Sequence, residues 1–328
     1  MPKRLSLAQY TDGLLAGNRF VLSRAITLVE STLPADKHLA QQVLDAVLPR
    51  TGRSVRLGIT GVPGVGKSTF IESLGMHLVA ERGHRLAVLA VDPTSQRSGG
   101  SILGDKTRMN QLAAHEHAFI RPSPAGRSLG GVARATREAL LLCEAAGYDV
   151  IFVETVGVGQ SETAVHGMVD FFLLLMLAGA GDELQGVKRG IMEMADAVVI
   201  TKADSGNELA AKRARREYQS ALQLFPHAAS SWAPVARTCS ALTGEGVPGV
   251  WEELQRYLEV VRGNGFFEQR RQEQNLQWLH HSIREALEER FYARPDVHQR
   301  LAQLQLEVQE GRRSAFGAAE ELLALGDV

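Results

Sequence analysis

The stretch Gly61-Val62-Pro63-Gly64-Val65-Gly66-Lys67-Ser68-Thr69 constrains the fold of this chain more than any other. It matches G-x-x-x-x-G-K-[ST], a loop whose backbone N–H groups cradle a polyphosphate. Such a loop needs a buried strand before it and a helix after it, and both are written into the flanks. Residues 55–60 are an apolar run of strand length, and Phe70, Ile71 and Leu74 begin a segment of helical spacing that reaches about Arg82. Gly61, Gly64 and Gly66 let the backbone turn its amides inward. The helix start adds unsatisfied donors and a partial positive charge aimed at the same anion. Lys67 supplies a full charge to the β- and γ-phosphates, and the Ser68 hydroxyl is placed to ligate Mg2+. The whole stretch, Gly61 to Thr69, is predicted to bind a nucleoside triphosphate.

Around the loop, apolar runs at 55–60, 85–91, 118–120, 150–154, 171–177, 197–201 and 235–240 alternate with helical stretches. The runs are continuous rather than alternating in polarity, as in parallel strands covered on both faces. Repeated βα units predict an α/β fold with a doubly wound, mostly parallel sheet. Three domains are expected. Residues 1–54 form a helical extension, 55–262 the nucleotide domain, and 263–328 a helical arm that begins after Gly263-Asn264-Gly265. In the arm, Leu276, Leu279, Ile283, Leu287 and Phe291 make one apolar stripe, and Val297, Leu301, Leu304 and Val308 make another. Packing against a second copy would give a C2 dimer; folding back on the nucleotide domain is the alternative.

Ligands on such sheets bind beyond the carboxyl ends of the strands, so the polar residues ending each run carry the chemistry. Asp92 can reach Mg2+ directly or through water, and Asp105 is a second candidate contact. Glu154, three residues before Gly157, matches a γ-phosphate sensor: the carboxylate holds the metal's water and the Gly157 N–H meets the phosphate. Val158 stands where many GTPases place a water-orienting Gln, and Gln160 is displaced, which predicts slow unaided hydrolysis and stimulation by a partner. Residues 179–190 mix glycines with Asp182, Gln185, Lys188 and Arg189, a candidate switch loop in which Lys188 or Arg189 can neutralise transition-state charge. Thr201-Lys202-Ala203-Asp204 resembles the N-K-x-D guanine motif. The Asp204 carboxylate can accept both guanine N–H groups, which adenine does not offer, and the Lys202 stem can cover the base. Thr in place of Asn at 201 weakens one supporting contact. Ser240-Ala241-Leu242 is like the loop that closes on the guanine carbonyl. Together these favour GTP over ATP.

The bulk numbers exclude other classes. A net charge of −1 implies neither a nucleic-acid nor an anionic-membrane partner. Cys143 and Cys239 fit no metal or disulfide spacing and point to a reducing cytoplasm. The apolar run from Phe171 to Gly179 is too short to cross a bilayer.

The set GVPGVGKST, VDPTS, ETVGVGQSE, AGAGDELQGVKRGIMEMAD and TKAD resembles the MeaB/ArgK/MMAA family of P-loop G proteins over nearly the full length. The resemblance implies a P-loop domain of the signal-recognition and MinD-like class and a homodimeric GTPase. It also implies a chaperone of adenosylcobalamin-dependent methylmalonyl-CoA mutase, gating cofactor loading and protecting that enzyme from inactivation. The adenosylcobalamin would be held by the mutase. An older label of the family, a kinase acting on an amino-acid transport protein, would need a general base for an acceptor hydroxyl, and none is visible. A nickel-loading GTPase would need a His-rich tract or paired Cys/His ligands, which the chain lacks.

Overall fold

The computed structural model describes residues 4–91, 109–122, 129–155, 161–179, 189–225 and 229–325. The chain divides into two units, Met1–Arg271 and Gln272–Val328.

The first unit is built on a seven-stranded sheet in the order β3-β2-β4-β1-β5-β6-β7. Its strands are β1 (Val55–Gly61), β2 (Leu86–Val91), β3 (Ala118–Arg121), β4 (Val150–Thr155), β5 (Phe171–Leu177), β6 (Ala197–Thr201) and β7 (Val235–Thr238). Every pairing is parallel. Burial explains why these stretches become strands: β4 is buried at every position and β5 at all but the last, so both faces are covered by helices. β1 lies between β4 and β5, with Ile59 beside Glu154 and Gly61 beside Leu175. The loop leaving β1 is thereby aimed at the crevice beyond the carboxyl edge.

Three helices precede the sheet: α1 (Leu7–Leu15), α2 (Arg19–Val29) and α3 (Pro34–Val47). Ser6 and Gln9 close a capping box on α1, Asn18 caps α2, and Pro34 opens α3 at a position whose N–H would have no intrahelical partner. Tyr10, Leu14, Leu22, Ile26, Val43 and Val47 are buried. Burying each large aliphatic side chain contributes about 1.5–3 kcal/mol. Leu7 and Leu15, on the same helix α1, stay exposed.

The helices after the loop are α4 (Lys67–Met76), α5 (Asn110–Ala114), α6 (Leu129–Ala145), α7 (Ser161–His166), α8 (Arg189–Met194), α9 (Glu208–Leu222) and α10 (Val247–Gly263). α4 widens into a π turn at His77–Glu81 before reaching Arg82, and α2 packs on α6. α11 (Phe266–Tyr292) begins ten residues ahead of the stripe read from Leu276. In the second unit, α12 (Pro295–Gln309) and α13 (Ala315–Leu325) bury Val297, Leu304, Ala318 and Leu322 against Phe291, Leu301 and Val308. Arg300 and Arg313 both pair with Glu321.

Candidate nucleotide site

β1 ends at Gly61, where a Cβ would lie 2.6 Å from the Leu175 carbonyl oxygen. A side chain there would force β1 away from β5, so the residue type follows from the strand spacing. Gly66 caps α4 with φ 91°, a conformation that a Cβ disfavours. The first N–H groups of α4 have no intrahelical acceptor, which suits a helix start to an anion. Lys67 Nζ donates to the Gly61 carbonyl at 2.8 Å, keeping the ammonium inside the loop.

β6 brings the second half of the site. Thr201 Oγ1 donates to the Val65 carbonyl at 2.7 Å, and Lys202 Nζ donates to the Gly64 carbonyl at 2.9 Å. Two successive residues thus bolt the end of β6 to the phosphate-type loop. The expectation that Thr201 only weakens a contact is incomplete: its hydroxyl is buried and joins the two halves. Lys202 has φ 54°, a strained value for a residue with a side chain, and Asn207 Nδ2 steadies it by donating to the Lys202 carbonyl at 3.0 Å. Asp204 accepts from Ser240 Oγ, and that oxygen accepts from Thr243 N at 3.1 Å. The carboxylate is therefore oriented by a buried serine, while Leu242 stands exposed at the rim. Burial and the Asp204 charge push the Cys239 thiol up to about 12, and burial likewise raises Cys143, so neither is a nucleophile near neutral pH.

β4 brings Glu154, buried beside Ile59, and Thr155, whose Oγ1 donates to Thr60 Oγ1 at 2.7 Å. Thr60 and Thr155 were not singled out from sequence; a polar residue ending an apolar strand was the available signal. Glu72 on α4 was also missed. Its carboxylate accepts from Gln111 N at 2.8 Å and Leu112 N at 3.3 Å, capping α5.

The sheet's carboxyl edge thus gathers the Gly61–Thr69 loop, Glu154, Thr201, Lys202, Asp204, Ser240, Ala241 and Leu242. Asp92, Asp105, Gly157, Asp182, Gln185 and Lys188 lie outside the described residues, and Arg189 opens α8. Among the described residues, no helix is long and apolar enough to cross a membrane.

A parallel sheet with this loop between its central strand and α4 is the architecture of a P-loop GTPase domain. The model of the family described as methylmalonyl-CoA mutase-associated GTPase MeaB matches residues 22–296, and the chain belongs to that family. It is 48% identical over 296 residues to GTPase ArgK of Escherichia coli, spanning 90% of this chain and 89% of that one. It is 46% identical over 321 residues to the mitochondrial methylmalonic aciduria type A homolog of Mus musculus, spanning 95% and 77%. A crystal structure titled LAO/AO transport system kinase superposes over 100% of both chains, with 39% identity and a TM-score of 0.77.

Proposed function

We propose that the protein is a GTP-hydrolysing switch that binds adenosylcobalamin-dependent methylmalonyl-CoA mutase in the cytoplasm, gates loading of its cofactor and protects it from inactivation. The observation that carries this reading is the bolting of the Lys202–Asp204 segment to the Gly61–Thr69 loop, which ties a guanine-type recognition carboxylate to a triphosphate cradle. The family description supports the choice of partner.

In this reading, loop amides and Lys67 hold the β- and γ-phosphates, and Asp204, held by Ser240, accepts the guanine N–H groups. The oxygen donors at Ser68 and Glu154 suit a hard cation, with no sulfur or imidazole among them. Mg2+ held there, with Asp92 and Asp105 as further candidates, would offset the charge developing on the β- and γ-phosphate oxygens. Gly157 contributes an amide to the γ-phosphate. Asp182, Gln185, Lys188 and Arg189 form a switch loop, with Lys188 stabilising the transferred charge. Hydrolysis is slow until the partner engages. Two copies associate through the α11 stripe Leu276, Leu279, Ile283 and Leu287, which is exposed in the single chain. Adenosylcobalamin is held by the mutase.

The test uses GTP labelled on its γ-phosphate, with and without the mutase. Release of free phosphate that rises when the mutase is added supports the switch. Label transferred to a protein instead supports the kinase reading attached to the LAO/AO structure's title and overturns this one.

A further inference from the structure

At the amino edge of the sheet, opposite the candidate site, one cation touches the end of α7 and the turn that follows α8. α7 follows residues 156–160 and ends at His166; α8 follows residues 180–188 and leads through Ala195 to Asp196, the residue before β6. Arg270, at the root of α11, places Nη2 3.1 Å from His166 Nε2 and Nη1 3.9 Å from Asp196 Oδ2. Its Nη1 also donates to the Tyr257 hydroxyl at 3.2 Å, and that hydroxyl donates to the Asp170 carbonyl at 2.9 Å. The Asp196 carboxylate in turn accepts from Phe172 N at 2.8 Å, and the His166 ring stands edge-on to Phe172 with centroids 5.6 Å apart.

The neighbouring Arg271 does a different job. It grips Asp170 with two bonds of 2.8 and 2.7 Å and takes the Gly52 and Ser54 carbonyls at 2.7 Å each. Arg271 therefore anchors α11 to the entrances of β1 and β5. Arg270 holds the end of α7 and the turn between α8 and β6, where Asp196 N also donates to the Phe172 carbonyl at 2.9 Å. Keeping a guanidinium here costs desolvation that an apolar side chain would not. The neutral imidazole of His166 gives it an acceptor and Asp196 gives it a counter-charge.

We propose that Arg270 is a positioning residue for hydrolysis: at the amino edge it holds the last residue of α7 and, through Asp196, the turn that joins α8 to β6. Each helix has six residues, spans about 9 Å and lies on the crossover from the carboxyl end of one parallel strand to the amino end of the next, so displacement of its held end is carried toward the carboxyl edge. A misplacement of about 1 Å in a catalytic group costs on the order of 100-fold in rate, whereas ground-state binding through the loop and Asp204 is untouched. The proposal rests on the GTPase reading above, and its test separates the two.

Full-length wild type, Arg270→Met, Arg270→Lys and His166→Phe are compared for GTP and GDP affinity, single-turnover hydrolysis, and amide hydrogen exchange over 161–170 and 189–197. In Arg270→Met, we expect affinities within about twofold and hydrolysis slower by at least about tenfold. Exchange should accelerate in both helices and stay unchanged over β1. Arg270→Lys should recover the 189–197 protection through Asp196 while leaving 161–170 exposed, and His166→Phe should release 161–170 alone. Unchanged exchange in either helix of Arg270→Met, or binding and hydrolysis lost in parallel with the melting temperature, overturns the proposal. If Arg270→Met does not fold, the split between the two helices in Arg270→Lys and His166→Phe decides. A wild type that binds no guanine nucleotide refutes the GTPase reading, and the exchange pattern still decides the holding role.

Discussion

Replacing His166 with Gln removes one titration and keeps an acceptor for Arg270, so the pH dependence of its effect on stability can be worked out in advance. Burial first, and the Arg270 charge second, lower the imidazole from 6.5 to about 4. Below pH 6.5 the unfolded chain takes up a proton that the folded chain refuses. Wild-type stability therefore carries a full contribution above 6.5 that is lost as pH falls toward 4. Each pKa unit is worth 1.36 kcal/mol, so the loss is about 2 kcal/mol at pH 5 and about 3 kcal/mol at pH 4. Asp196 runs the other way. Burial raises it from 3.8 to about 6, so its contribution is present below 3.8 and lost as pH rises through 6. The two slopes nearly cancel between pH 4 and 6 in wild type, and His166→Gln exposes the Asp196 slope alone. Urea unfolding of both proteins at matched pH measures the difference. The variant should be equal or slightly weaker at pH 7.5 and should gain about 2 kcal/mol on wild type by pH 5. Parallel curves, with a difference constant to within about 0.5 kcal/mol, would mean that His166 titrates as a free imidazole and that its contact with Arg270 does not exist in solution.

Thr201→Val deletes the hydroxyl that donates to the Val65 carbonyl while keeping the side-chain shape. Losing that bond is worth about 1 kcal/mol, so calorimetric affinity for GTP and GDP should fall together by roughly fivefold, and Thr201→Ser should restore it. Lys67→Ala should abolish phosphate release while leaving far-UV circular dichroism unchanged; wild-type turnover in that variant would remove Lys67 from the site.

The parts of this fold legible in sequence are those decided locally. β5 and β6 fall on 171–177 and 197–201 as their apolar runs suggest, because strands covered on both faces show continuous hydrophobicity. β7 stops at Thr238 rather than 240, because Ser240 N turns to the Glu245 carbonyl at 2.9 Å instead of continuing the ladder. Pro295 is the first residue of α12, where its missing N–H costs nothing. The glycine-Lys-Ser loop and the Lys-x-Asp segment were legible because each is a few residues with fixed spacing. Their joining was not. Thr201 meets Val65 across 136 positions, Thr155 meets Thr60 across 95, and Arg270 meets His166 across 104. A bond of that span depends on which strands are neighbours, and only the sheet order decides that.

The two fastened edges also limit where binding energy can go. On the carboxyl edge, Thr201 and Lys202 hold β6 to the loop, and Thr155 holds β4 to β1. On the amino edge, Asp170 and Asp196 hold the entrances of β5 and β6. A parallel sheet pinned at both ends deforms at high cost, because packed interiors tolerate little strain. Charge arriving at Lys67 is therefore met by elements hung from the sheet, α7 and α8 among them. Any partner that discriminates the GTP state from the GDP state must do so by unequal affinity. If Arg270 joins the end of α7 to the turn after α8 as proposed, their responses depend on each other, and a partner contacting either would sense both.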